Sequence, residues 1–133
     1  MDGQGYIKLT DFGLSKMGIQ GHRDAKSLCG TAEYLSPEML QRQGHGKATD
    51  WWSFGAIIYE MLCGEPPFYS KNKEKLFKNI KYNEPRLDFP FLSEEARDIC
   101  SKLLDKNPES RLGSGPTDAN EIMEHPWFAS INW

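Results

Sequence analysis

A surplus of charge of one sign, paired cysteines and an apolar run of membrane length are all missing from this 133-residue chain. Sixteen Lys and Arg stand against nineteen Asp and Glu, a formal net charge of −3 with no long basic run. Phosphate-backbone affinity rests on concentrated Lys and Arg, so a nucleic-acid partner is not expected. The three cysteines, Cys29, Cys63 and Cys100, are odd in number and widely spaced. That pattern argues against a disulfide framework or a zinc site and for reduced thiols in the cytoplasm or the nucleus. The most apolar stretch, Trp51 to Cys63, falls short of the roughly 20 residues that span a bilayer. It reads as a buried core helix. The opening Met-Asp-Gly-Gln-Gly-Tyr has neither the basic nor the apolar region of a signal peptide.

What is present suits a globular chain with a single core. With 38% hydrophobic and 26% charged residues, the composition is not that of a disordered segment. Gly3 and Gly5 predict a turn, and the alternation in Tyr6-Ile7-Lys8-Leu9-Thr10 predicts a short strand running into Asp11. Residues 14 to 30 have no sustained period and read as a loop. Ser36-Pro37-Glu38 has the chemistry of a helix start: a hydroxyl cap, proline at the first position and an acid at the positive end of the dipole. Gly44-His45-Gly46 should end that short helix. Thr49 or Asp50 should cap a second, from Trp51 to about Leu62, stopped by Gly64 and Pro66-Pro67.

This second helix is apolar on nearly every face and must be surrounded by other elements, with one flank left bare if they are incomplete. Leu76, Phe77 and Ile80 mark an amphipathic helix. Ile99, Cys100, Leu103 and Leu104 mark another, begun by Ser93-Glu94-Glu95. Asp118-Ala119-Asn120-Glu121 resembles a capping box and leads to a final helix.

The order of short motifs is far more specific than any one of them. Asp11-Phe12-Gly13-Leu14-Ser15-Lys16 comes first, then Cys29-Gly30-Thr31, Glu33-Tyr34-Leu35, Asp50-Trp51-Trp52-Ser53-Phe54-Gly55, Pro66-Pro67-Phe68, Arg111-Leu112-Gly113 and His125-Pro126-Trp127-Phe128. In this order the chain resembles the C-terminal lobe of a serine/threonine protein kinase of the AGC group. The fold so implied is mainly α, a C-lobe fragment with a short N-terminal β segment, its N-lobe and catalytic loop absent. Residues 1–133 then form a partial kinase domain: strand and Asp-Phe-Gly over 6–13, activation segment over 11–38, helical subdomain over 39–128.

The resemblance assigns roles residue by residue. Asp11, with Phe12 and Gly13 beside it, would hold the Mg²⁺ that bridges the phosphates of ATP, a hard oxygen ligand for a hard cation. Phe12 would pack into the core and Gly13 give the loop freedom to move. Ser27 matches the activation-loop position phosphorylated by an upstream activating kinase, the alternative being a solvated loop serine. Leu28, Gly30, Thr31 and Tyr34 would line the pocket for the substrate residue that follows the phosphoacceptor. Glu60 either meets a basic residue of the protein substrate or is a helix acid facing solvent. Glu38 and Arg111 would form a structural ion pair, and Asp50 would hydrogen-bond a catalytic loop or act as a cap.

The activity implied is transfer of the ATP γ-phosphate to a protein Ser or Thr. A glycine-rich loop, a strand lysine and a catalytic loop should precede Asp-Phe-Gly, where only ten residues stand. The chain alone is therefore expected to be catalytically incompetent. A non-catalytic interaction module and a truncated gene product are the competing readings. His22-Arg23-Asp24 imitates a catalytic loop, but it follows Asp-Phe-Gly and its fifth following residue is Cys29 rather than asparagine. Gly44-His45-Gly46-Lys47-Ala48-Thr49 lacks the upstream glycine and the hydroxyl directly after lysine of a phosphate loop. His125 reads as a packing or capping residue. Ala32 stands where the family usually has proline and Ser36 where it has alanine.

Overall fold

A computed structural model of the chain describes residues 1–19, 21 and 30–133. Among these residues five α-helices follow in order: α1 (Pro37–Leu40), α2 (Ala48–Cys63), α3 (Lys73–Tyr82), α4 (Glu94–Leu103) and α5 (Ala119–Met123). Three single 3₁₀ turns, Phe12–Leu14, Ala32–Tyr34 and Pro126–Phe128, complete the order. Among the described residues no strand forms, so the predicted segment Tyr6–Thr10 is corrected to exposed chain without regular structure. Alternation alone cannot make a strand. A ladder needs a second backbone to pair with, and none is supplied here. The turn before it does form, with Gly5 at φ 90° and the Asp2 carboxylate accepting from the backbone of Gln4 and Tyr6.

Helix α2 is the axis of the lobe. Trp52, Ala56, Ile58 and Tyr59 are buried on it, and Leu76 and Ile80 of α3 join the same core with Ile99, Cys100 and Leu103 of α4. The approach of α2 to α4 is set by Gly55: a Cβ there would lie 2.6 Å from the Leu103 Cβ. Trp52 is fully buried and stacks on Phe68, ring centroids 5.5 Å apart, while the Lys106 ammonium lies 3.8 Å from the Phe68 centroid and 4.8 Å from that of Trp52. One flank of α2 is bare, Ile57 being 45% and Met61 71% exposed.

The helix ends divide between side-chain caps and other solutions. Asn72 and Ser93 accept from the backbone N–H groups of Lys75 and Ala96, which fixes the starts of α3 and α4. Gly64 ends α2 at φ 84°, a left-handed conformation that glycine adopts without a Cβ penalty. Ser36 precedes α1 and is buried, but its hydroxyl does not cap the helix. Helix α2 begins at Ala48, three residues before Trp51, and neither Thr49 nor Asp50 caps it. Thr49 instead donates to Glu38, 3.0 Å away.

The capping box at α5 is also absent. Asp118 lies at φ 54°, ψ −119°, and makes no cap. Its carboxylate accepts from Trp51 Nε1 at 2.8 Å and lies 3.7 Å from Lys47. Glu121 reaches back to the Gly113 N–H and the Thr117 hydroxyl. These contacts bind the start of α2 to the loop before α5, and they outcompete the local cap.

Candidate functional site

The first element of the site is Asp11, which takes a left-handed backbone (φ 61°, ψ 65°) that Asp tolerates better than most residues. Gly13 has no positive φ, so the sharp step in the chain falls on the carboxylate residue itself. Phe12 is 65% exposed, contrary to the expectation that it packs into the core. Residues 3–18 are exposed throughout, so no described neighbour covers the ring. Asp11 and Phe12 form one wall of an open concavity of ≈ 650 Å³. Gly30, Thr31, Tyr34, His45 and Asp50 line the same concavity.

Asp50 stands in the first turn of α2 and is exposed. The surrounding protein raises its pKa by partial desolvation, His45 opposing and the nearby Asp118 carboxylate adding to the rise. The His45 imidazole is pushed below its ordinary range, first by burial and then by the positive charge of Lys16. Tyr34 donates its phenolic hydrogen to Glu60 Oε2 at 2.6 Å, and this bond is the main cause of its raised pKa. Glu60 lies outside the concavity wall but is joined to it through Tyr34. Ser27, Leu28 and His22-Arg23-Asp24 lie outside the described residues.

Thr49, which lines the concavity, also donates to Glu38, one half of a buried clasp. Arg111 gives Nη1 and Nη2 to the two carboxylate oxygens of Glu38 at 2.8 and 3.0 Å, 73 residues apart in sequence. Both side chains are almost wholly buried, at 1% and 4% exposure. Arg111 also donates to the backbone carbonyls of Ala48 and Asp105, and its guanidinium lies over Trp52. Burial by itself would raise the Glu38 pKa. The guanidinium overrides it and holds the carboxyl below its ordinary 4.5.

A carboxyl whose folded pKa is depressed stabilises the fold fully above its unfolded value and loses that contribution as pH falls through the folded one. Urea unfolding followed with pH should therefore show stability falling as the medium is acidified below pH 4.5. In Glu38→Gln this component of the acid slope should disappear.

A family model described as "protein kinase domain" matches residues 1–128. The chain belongs to the protein kinase family. It is 51% identical over 134 aligned residues to the RAC-beta serine/threonine-protein kinase of Rattus norvegicus, and 51% to that of Homo sapiens. Identity to RAC-beta serine/threonine-protein kinase B of Xenopus laevis is 49%. Each alignment covers the whole chain and 27% of the relative, so the chain spans about a quarter of the length of the kinases it matches. The helical architecture is that of the C-terminal lobe of an AGC-group kinase.

Several features of this kinase lobe were not read from residue spacing. The Tyr34–Glu60 bond joins residues 26 apart, and no local pattern announces it. His125 accepts from the Trp127 N–H through Nδ1, so its Nε2 carries the hydrogen that is given to Asp98, 2.8 Å away. The sequence His125-Pro126 signalled a cap, but the Asp98 partner depends on α4 packing against the last 3₁₀ turn. No helix of the described residues is long and apolar enough to cross a membrane.

Proposed function

We propose that this chain is the substrate-receiving part of a serine/threonine protein kinase, which transfers the γ-phosphate of ATP to a protein hydroxyl when the remaining catalytic parts accompany it. The observation that carries this reading is the placement of Asp11, Gly30, Thr31 and Tyr34 on one concavity, with Glu60 tied to Tyr34. Asp11 would hold the Mg²⁺. The donor chemistry fits, since an exposed carboxylate at a concave wall offers the hard oxygen that Mg²⁺ takes alongside phosphate oxygens. Bound there, the metal supplies neutralisation of the charge on the phosphates.

Tyr34 occupies one oxygen of Glu60 and leaves the carboxylate one further acceptor for a basic substrate residue. Thr31 and Gly30 would face the residue after the phosphoacceptor, with Leu28 beside them. Ser27 would be the site at which an upstream activating kinase adds a phosphate, ordering the segment by charge pairing. Asp50 would orient the catalytic loop. The free thiols of Cys63 and Cys100 suit a reducing compartment, cytoplasm or nucleus.

The 133 residues themselves contain no glycine-rich nucleotide loop before Asp11 and no His-Arg-Asp with a following asparagine in the required order. Phosphoryl transfer depends on those parts acting together with the metal-binding Asp. The purified chain, supplied with Mg²⁺, ATP labelled at the γ-phosphate and an arginine-containing serine peptide, should incorporate no label above a no-protein control. Incorporation that is lost in Asp11→Asn would overturn the claim of incompetence while supporting the assignment of Asp11.

A further inference from the structure

Helix α3 carries a charge pattern that the packing of the lobe does not require. Residues 71–82 contain five lysines, Lys71, Lys73, Lys75, Lys78 and Lys81, and a single acid, Glu74, within a chain of net charge −3. Buried Leu76 and Ile80 fix the inner face of the helix; Lys71, Lys73, Lys75 and Lys78 are exposed and Lys81 is half-buried. None of the five makes an ion pair among the described residues, whereas Lys8, Lys47, Arg86, Lys102 and Arg111 all do. Lys73 lies over the Phe77 ring at 5.6 Å and Lys81 over the 67% exposed Tyr82 ring at 5.3 Å.

At its start the placement is also unfavourable for the helix alone: Lys73 and Lys75 occupy the first turn, where the positive end of the dipole prefers acids and Glu74 is the only one, while Lys81 alone stands in the last turn that favours a cation. A surface held in place by its core contacts and without an ion pair among the described residues is complementary to negative charge from outside.

We infer that the outer face of α3 docks an acidic segment of a partner protein. The mixed sign of the face selects this class of partner. Glu74 sits among the lysines and would repel every part of a uniformly anionic polymer or bilayer, while a polypeptide can set a basic or neutral residue opposite it. The apolar residues of α3 are spent on the core, so an anionic membrane would find no side chains to insert beyond Tyr82. This docking is independent of phosphoryl transfer, and a catalytically silent chain retains it.

The test is fluorescence anisotropy of a labelled peptide of alternating Glu and Ser with the 133-residue chain at low salt. Binding should weaken about tenfold in the triple variant Lys75→Gln, Lys78→Gln, Lys81→Gln, and should fade with added salt. The matching Lys→Arg triple should keep it, and Lys102→Gln, outside the face, should leave it unchanged. If the triple Gln variant loses helicity by circular dichroism, the single charge reversal Lys78→Glu decides, with the same direction of effect. Absence of peptide binding to the unaltered chain, or binding indifferent to these substitutions, overturns the inference. So does tighter, α3-dependent binding of phosphatidylserine vesicles or of a single-stranded RNA.

Discussion

Arg111→Ala should be among the most damaging single substitutions in this lobe, lowering the unfolding free energy by about 3–5 kcal/mol. Removal of the guanidinium leaves the Glu38 carboxylate, 4% exposed, without its two hydrogen bonds from Arg111, though Thr49 still donates to it. It also releases the backbone carbonyls of Ala48 and Asp105 and bares the face of Trp52. Loss on this scale is a large part of the stability of a small domain. Urea midpoints measure it directly, and an unchanged midpoint would show that the pair contributes nothing net.

The companion Glu38→Gln tests the reason. Gln keeps a carbonyl to accept from Arg111 but removes the negative charge, so it should cost less than Arg111→Ala. In a double-mutant cycle the two substitutions should be strongly non-additive.

Gly55→Ala should destabilise by about 1–3 kcal/mol, against what helix propensity alone would give. In a helix interior Ala is worth about 1 kcal/mol more than Gly, which would make the substitution favourable on an open helix. Here the added Cβ would stand 2.6 Å from the Leu103 Cβ and 3.4 Å from the Leu103 backbone carbon. Neither atom can rotate away, because both are fixed to the α4 backbone. The helices must move apart, and the contacts of Trp52, Ala56, Ile99 and Leu103 would loosen with them. Gly55→Val should be worse. A thermal midpoint for Gly55→Ala at or above that of the unaltered chain would mean that α2 and α4 adjust without loss.

The sequence made the helices legible where local chemistry and packing agree. Ser93-Glu94-Glu95 starts α4 and Gly64 ends α2 because cap and turn preferences there meet no competitor. It misled where a distant partner takes the same atoms. Asp118 reads as a cap, but the Trp51 indole, 67 residues away, captures its carboxylate. Thr49 reads as a cap, but Glu38 takes its hydroxyl. The strand over residues 6–10 and the buried Phe12 each need a neighbour that sequence alternation cannot supply. The Glu38–Arg111 geometry was accessible only through family resemblance, since no periodicity links two residues 73 apart.

That same separation bears on time rather than stability. The clasp encloses α2, α3 and α4 between its two partners. Such a contact forms only after the intervening helices have come together, so it adds little to the folding nucleus. Its loss should leave the folding limb of a chevron nearly unmoved and raise the unfolding limb. Glu38 and Arg111 then act as a latch: what they set is how long the assembled lobe stays closed, not how quickly it is built.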